Sequence, residues 1–147
     1  MADSKNTQTE QLLETTVMQS VTATDLRVGN LYEYFISDKN DDRKEWWEAV
    51  VCDAQDLVYL EKNPNDRDFR LLPLTKEWFD KLGMTYYSLP TKSDRKIGYY
   101  TIKYGNRFKI NSSDGKYYFL NFRKEIKYVH ELQNLYFSLT GHELTIA

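Results

Sequence analysis

The sequence predicts an α+β fold: a small antiparallel sheet packed against one short helix and one longer C-terminal helix. The longer helix is indicated by apolar residues that recur at steps of three and four over residues 129–139. The sheet is indicated by short apolar segments, separated by turn residues, between positions 31 and 122. With 147 residues, 41% of them hydrophobic, the chain is long enough for one domain with a buried core. We expect this domain to span residues 25–147, after a flexible or partly helical leader at 1–24.

The predicted C-terminal helix carries the largest apolar stripe of the chain, so the strands before it are expected to pack on it. Gly141 stands where a left-handed C-terminal cap is expected, because glycine adopts that conformation without a Cβ penalty. The residues predicted to be buried on this helix are Val129, Leu132, Leu135, Tyr136 and Leu139. Their predicted packing partners are Trp78, Ile102, Phe108 and Phe119.

The first half of the chain is predicted to be mainly β structure, with an SH3-like barrel as one candidate topology. Four short strands are expected in about fifty residues, at 31–36, 46–52, 57–61 and 69–74. A short helix at 76–82 follows, with Thr75 as its N-cap and Gly83 as its stop. A further strand is expected at 84–89.

The second half is predicted to form a meander with strands at 98–104, 108–111 and 116–122. A three-residue loop at 105–107 would pair Ile102 with Ile110 and keep apolar side chains on one face, whereas a two-residue loop would pair Ile102 with a lysine. The Asp114-Gly115 turn would then keep the next apolar side chains, Tyr117 and Phe119, on the same inner face.

The opposite face of this meander is the candidate binding site, because its predicted residues alternate lysines with tyrosines. Such a face can hold phosphates and stack bases. An ordinary solvated face of a one-sided sheet has a similar composition, and no RRM or KH signature is present. An acidic protein surface would satisfy the same charges. The predicted site residues are Tyr99, Lys103, Lys109, Lys116 and Tyr118.

Charge is distributed unevenly along the chain, although the net charge is only −2. Residues 92–127 carry a net charge of +7, whereas residues 25–91 carry −5. The leader and residues 128–147 carry −2 each. This polarisation predicts a basic surface formed by the second half of the chain.

Several sequence features bear on where the protein acts. No apolar run approaches the ~18 residues needed to span a bilayer, and the N-terminus lacks the regions of a signal peptide. Cys52 is the only cysteine, so an intrachain disulfide is impossible. A reducing compartment, the cytoplasm, is therefore expected, with no membrane partner.

The sequence offers little catalytic or metal-binding chemistry. The only trio that could serve a nucleophilic enzyme is Cys52, His130 and Asn134, and a buried cysteine with a surface histidine is the more common arrangement. The loop beginning at Asp38 resembles a calcium loop but has Arg43 in place of the required Gly and lacks the final Glu. We therefore expect no metal, no cofactor, no catalytic residue and no enzymatic activity.

Three segments of the chain resemble one protein family. Residues 25–31, DLRVGNL, resemble its opening strand; residues 72–84, LPLTKEWFDKLGM, resemble its "PLTEEWLLKFGF" block; residues 126–146 resemble its "IKYVHQLQNLYFALTGEELTI" ending. The family consists of small uncharacterised proteins of Bacteroidetes-type bacteria, their prophages and phages. The leader and the charged segment at 38–44 depart from the pattern, and the family brings no known catalytic residues.

The resemblance implies a mobile-element protein that acts inside a bacterial cell. Small phage proteins of this kind often bind host machinery, including CRISPR defences, so the expected partner is a host protein or ribonucleoprotein. The first functional hypothesis is therefore a non-enzymatic interaction protein, for example an anti-CRISPR inhibitor that binds an RNA-guided nuclease. The alternative is an accessory protein that binds single-stranded RNA or DNA. A small cysteine-dependent enzyme is the third hypothesis.

Overall fold

A computed structural model of the chain describes residues 21–38, 40, 44–102, 105–119 and 123–147. The described elements combine antiparallel strands with three helices, so the predicted α+β class is confirmed. In chain order they are β1 (Leu31–Ser37), β2 (Glu45–Val51), α1 (Ala54–Lys62), β3 (Phe69–Arg70), α2 (Lys76–Lys81), β4 (Met84–Ser88), β5 (Ile97–Ile102), β6 (Gly105–Ser113), β7 (Lys116–Phe119), β8 (Lys124–Glu125) and α3 (Val129–Thr140).

The strands form two antiparallel sheets. One has three strands in the order β2-β1-β3, and the other is a five-stranded meander in the order β4-β5-β6-β7-β8. Pro73 pairs with Tyr128 in an isolated bridge, and the Leu74 N–H donates to the Lys127 carbonyl at 2.8 Å. This bridge joins the segment that precedes α2 to the segment that precedes α3, and the two segments run antiparallel.

Strand β1 separates two hydrophobic cores. Leu31 belongs to the larger core, in which α2 and α3 pack with the five-stranded sheet. The next residue, Tyr32, belongs to a smaller core with Leu60 and Phe69. Successive residues of a strand point to opposite faces, so one strand can supply both cores.

Helix α3 is buried over its first half, as the apolar pattern predicts. Val129 and Leu132 are fully buried, and Leu135 and Tyr136 are partly buried against the same core. Leu139 is 56% exposed, so its predicted burial is wrong. The last turn of the helix runs beyond the core, and Leu139 meets no covering surface among the described residues. The predicted partners pack as expected: Trp78 and Phe108 are buried, and Ile102 and Phe119 are partly buried.

Residues 57–61 form part of helix α1, so the strand predicted there is wrong and the four-strand meander behind the SH3-like expectation does not form. Asp53 begins the helix: its carboxylate accepts from the N–H of Asp56 at 2.9 Å, and the Asp56 carboxylate accepts from the N–H of Asp53 at 2.9 Å. This reciprocal capping box satisfies exposed N–H groups at the helix start. Leu60 is buried, whereas Val58 and Tyr59 are exposed, as one-sided burial of a helix requires.

The loop predicted between β5 and β6 is also wrong. Strand β6 begins at Gly105, and Tyr100, not Ile102, lies opposite Ile110. The ladder shifts between Thr101 and Ile102, where a bulge absorbs the difference. Before the bulge the register differs from the predicted one by two residues, so the described side chains paired there keep the predicted face. The Asp114-Gly115 turn is confirmed, with φ of 51° and 79° at its two residues.

The packed part of the chain begins before the predicted boundary at residue 24. Val21 is fully buried in the smaller core, and the Thr22 N–H donates to the Asp25 carboxylate at 2.7 Å. Residues 1–20 of the predicted leader lie outside the described residues.

A buried glutamine joins three separate segments of the chain. The Gln133 Oε1 accepts from the Leu31 N–H at 2.8 Å, and its Nε2 donates to the carbonyls of Leu144 at 2.9 Å and Gly29 at 3.3 Å. Gln133 is 1% exposed, so these bonds form away from water. Helix α3 is thereby tied to the start of β1 and to the C-terminal segment.

A second polar cluster reinforces this junction near the surface. The Arg27 Nε donates to the Asn134 Oδ1 at 2.7 Å, and its guanidinium pairs with Glu143 at 2.7 Å. The Asn30 amide donates to the same Asn134 oxygen at 2.9 Å. Arg27 also lies 4.3 Å from the centre of the Phe137 ring.

The leucines of α3 provide a matched test of the packing. We expect Leu132→Ala to lower the unfolding free energy by about 2–5 kcal/mol, because it leaves a cavity in the core. Leu139→Ala makes the same change on the exposed end of the helix and should change the unfolding free energy by at most about 0.5 kcal/mol. Urea denaturation measures both. Equal losses in the two variants would contradict the placement of α3.

The glutamine junction has its own test. Gln133→Leu should lower the unfolding free energy by at least about 1–3 kcal/mol, because the Leu31 N–H remains buried without its acceptor. The control is Gln55→Leu, the same change at an exposed position of α1, which should move stability by no more than about 0.5 kcal/mol. A Gln133→Leu variant as stable as this control would show that the junction contributes little.

Candidate functional site

The candidate site is the side of the five-stranded sheet that faces away from the larger core; we call it the outer face. Alternate residues of each strand point to opposite sides, and the inner side carries Tyr100, Ile110 and Tyr117, all buried. The residues between them therefore lie on the outer face. Sheets of this kind often keep one face on the core and one in water.

A row of directly paired residues crosses all five strands on the outer face; we call it the tyrosine row. Tyr87 of β4 pairs with Tyr99 of β5, which pairs with Asn111 of β6. Asn111 pairs with Tyr118 of β7, which pairs with Glu125 of β8. The Tyr87 and Tyr99 rings stack, with centroids 5.4 Å apart and planes 18° from parallel. Tyr87 is 47% exposed, so a ring at one end of the row is open to solvent.

Two lysines lie beside the row. Lys109 is exposed, and its Nζ is 4.7 Å from the centre of the Tyr99 ring. Lys116 is exposed and lies two residues before Tyr118 on the same strand, so both share the outer face. One carboxylate, that of Glu125, ends the row. The outer face therefore presents aromatic rings with cations next to them.

The structure brings four of the five predicted site residues together: Tyr99, Lys109, Lys116 and Tyr118. Lys103 lies outside the described residues. Tyr87 and Asn111 were missed, because their place in the row depends on the pairing of β4 with β5 and on the register of β6. Alternation within each strand predicts a face, but a cross-strand row requires the register.

The trio proposed for a cysteine-dependent enzyme does not form a nucleophilic site. Cys52 is 1% exposed and packs in the smaller core. Burial, followed by the carboxylates of Asp56 and Asp53, raises the pKa of the Cys52 thiol to about 11, so it stays protonated at neutral pH. Asn134 is already engaged as the acceptor for two donors, Arg27 and Asn30. The arrangement gives Cys52 a structural position.

The remaining candidates from the sequence offer no site. Within the described ranges, no three His, Cys, Asp or Glu side chains are grouped closely enough to hold a metal ion. Residues 39 and 41–43 of the loop that resembles a calcium site lie outside those ranges. His142 is exposed, and its Nδ1 lies 3.0 Å from the Thr140 carbonyl. None of the helices in the described part of the chain is long and apolar enough to cross a bilayer.

Comparisons with protein-family models, with curated proteins and with solved structures gave no match for this chain. The family resemblance of residues 25–31, 72–84 and 126–146 therefore stays a prediction. The geometry of the described residues is the physical basis for assigning a function.

His130 is the one buried titratable group of α3, at 7% exposure. Its ring stacks with Tyr128 at a centroid distance of 5.9 Å, and its Nδ1 has no hydrogen-bond partner among the described residues. Burial lowers the pKa of His130 below 6.5, and the nearby carboxylates of Glu131 and Asp25 oppose this shift only in part. The ring is therefore neutral in the folded protein at neutral pH.

This position predicts a pH dependence of stability. The unfolded chain protonates His130 below 6.5 more readily than the folded chain does, so the unfolding free energy should fall as the pH drops through this range. His130→Gln should flatten that slope between about pH 5 and 8, where histidine titrates. The exposed His142→Gln variant is the matched control and should keep the wild-type slope. Denaturation curves at several pH values measure it; an unchanged slope in His130→Gln would contradict the neutral buried ring.

Proposed function

We propose that this protein is a non-enzymatic interaction protein whose contact surface is the outer face, and that this face binds single-stranded nucleic acid, RNA in particular. The observation that carries the proposal is the tyrosine row with Lys109 and Lys116 beside it. Rings supply stacking surfaces for bases, and lysines neutralise phosphates. Both are needed to hold a single strand without reading its sequence.

The arrangement of the rings favours a nucleic-acid-binding face over a solvated sheet face that binds no ligand. Tyr87 and Tyr99 are already stacked, and Lys109 is held against Tyr99, so little side-chain freedom remains to be lost on binding. Tyr118 lies two strands from Tyr99 in the same row, separated by the amide of Asn111. Neighbouring β-strands are about 4.8 Å apart. A single-stranded nucleic acid that crosses the sheet along this row would therefore meet aromatic rings on both sides of Asn111.

The proposed partner inside the cell is a host ribonucleoprotein. Residues 92–127 carry the basic surplus of +7, which suits an RNA or an acidic protein surface. The family resemblance supports a phage or mobile-element origin and a cytoplasmic site of action, with inhibition of host defence as the role. An anti-CRISPR protein that contacts the guide RNA of an RNA-guided nuclease is the concrete form of this proposal.

The lysines give the first test. At ~50 mM salt, the wild-type protein should bind a single-stranded RNA oligonucleotide weakly, with a log–log salt slope of about −0.7 for each phosphate neutralised. Lys109→Glu/Lys116→Glu should abolish binding. The control is Lys62→Glu/Lys76→Glu, which makes the same change in net charge on α1 and α2 and should bind with only a modest loss. Filter binding measures the affinities.

Two outcomes would contradict the nucleic-acid ligand. If the wild-type protein retains no oligonucleotide at low salt, nucleic acid is excluded as the ligand and an acidic protein is left as the partner. Equal losses in the two double variants would show that only net charge matters.

A pair of tyrosine variants tests the stacking. Tyr87→Leu should weaken the binding free energy by about 1–3 kcal/mol through lost stacking. Tyr86→Leu, the neighbouring residue on the inner side of β4, should weaken it little.

A further inference from the structure

A concave surface, separate from the outer face, lies between α1 and the three-stranded sheet. It is a cleft of about 580 Å³, and its lining residues come from β1, β2, α1 and β3. None of the described side chains that line it is basic. The cleft shares no residue with the outer face, so its ligand is independent of the nucleic acid proposed for that face.

Four aromatic rings form the floor and the walls of the cleft. Tyr32 and Phe69 are buried and stack with centroids 5.3 Å apart. Tyr34 meets Phe69 edge-on at 5.0 Å, and Tyr59 stacks on it at 5.5 Å. Tyr34 and Tyr59 are 36% and 45% exposed, so both rings remain accessible to a ligand. The faces of aromatic rings are the negative ends of their quadrupoles.

Carboxylates lie beside two tyrosine hydroxyls of this cleft. The Tyr59 hydroxyl donates to the Asp66 Oδ2 at 2.6 Å. Burial, followed by the nearby carboxylate of Asp56, raises the pKa of Tyr32. The hydrogen bond that the Tyr59 hydroxyl donates to Asp66 raises the pKa of Tyr59 and lowers the pKa of Asp66. The phenols therefore stay protonated while the carboxylate stays ionised. A phenol that donates to a carboxylate is richer in electrons, which strengthens its attraction for a cation.

The cleft opens at the end of an edge strand. Val51, its rim residue, is 61% exposed and is the last residue of β2. β2 pairs only with β1, and its other edge has no strand partner in the part of the chain that the structure describes. An extended peptide can add to such an edge and place one side chain into a neighbouring pocket.

We propose that this cleft binds the side chain of an arginine carried by an extended segment of a protein partner. Tyr34 and Tyr59 supply the cation–π faces, and Asp56 and Asp66 supply the opposite charge. Arginine suits the site better than lysine, because its planar guanidinium stacks on aromatic rings and is weakly hydrated. The acidic balance of residues 25–91, a net −5, favours a basic partner segment. The protein thus has a second contact site, of opposite charge preference to the outer face.

The experiment is an NMR titration of the full chain with acetyl-Gly-Arg-Gly-amide, in parallel with the same peptide containing citrulline, which has the same shape but no charge. The arginine peptide should shift the Val50 and Val51 methyl signals, and its own side-chain methylene signals should move upfield through ring currents. The citrulline peptide should bind more weakly by about twofold to thirtyfold, the range expected for cation–π contacts.

Variants separate the rings from the hydroxyls. Tyr59→Leu should weaken arginine binding by about twofold to thirtyfold, whereas Tyr59→Phe, which keeps a ring, should retain most of it. Tyr87→Leu on the outer face is the control and should bind as the wild type does. Dispersed amide spectra establish that each variant is folded. Equal affinity for the citrulline peptide, shifts that map away from the cleft, or no shift with the arginine peptide would each overturn the proposal.

Discussion

The buried amide of Gln133 is the interaction on which the rest of the structure depends. Through three hydrogen bonds it joins helix α3 to the start of β1 and the glycine just before it, and to the C-terminal segment. A buried amide whose donors and acceptor are satisfied favours a single arrangement of the segments around it, since any other leaves polar groups without partners. This junction orients β1, and β1 in turn separates the two cores.

The two proposed contact sites are built on different sheets and have opposite chemistry. Both use tyrosine, whose ring offers a large contact area at low entropic cost. On the outer face the rings are accompanied by lysines, and in the cleft beside α1 they are accompanied by aspartates. The charge polarity seen along the chain is therefore expressed as two separate surfaces. Together, the two proposals describe a molecule that would contact a nucleic acid through one surface and a basic protein segment through the other, a combination that a ribonucleoprotein offers.

The candidate site shows which features of a sheet surface a residue pattern can predict and which it cannot. Alternation placed Tyr99, Lys109, Lys116 and Tyr118 on one face, and the structure brings them there, because an error of two residues in register leaves faces unchanged. The same register error assigns the wrong residues as direct cross-strand neighbours. Tyr87 joined the row only through the pairing of β4 with β5, a contact between segments with no recognisable pairing signal.

By itself, the sequence determined the α+β class, the buried start of α3, the start of α2 after Thr75, the left-handed glycines Gly83 and Gly141 at the ends of α2 and α3, and the Asp114-Gly115 turn. These features follow from local periodicity and backbone preference. It also contained the capping box of α1, although the β-rich run at 57–61 favoured a strand. Only the tertiary structure decided the exposure of Leu139, the burial of His130 and Gln133, the bulge after Thr101 and the cleft beside α1. Each of these depends on which distant surface a residue meets, and periodicity carries no information about where that surface ends.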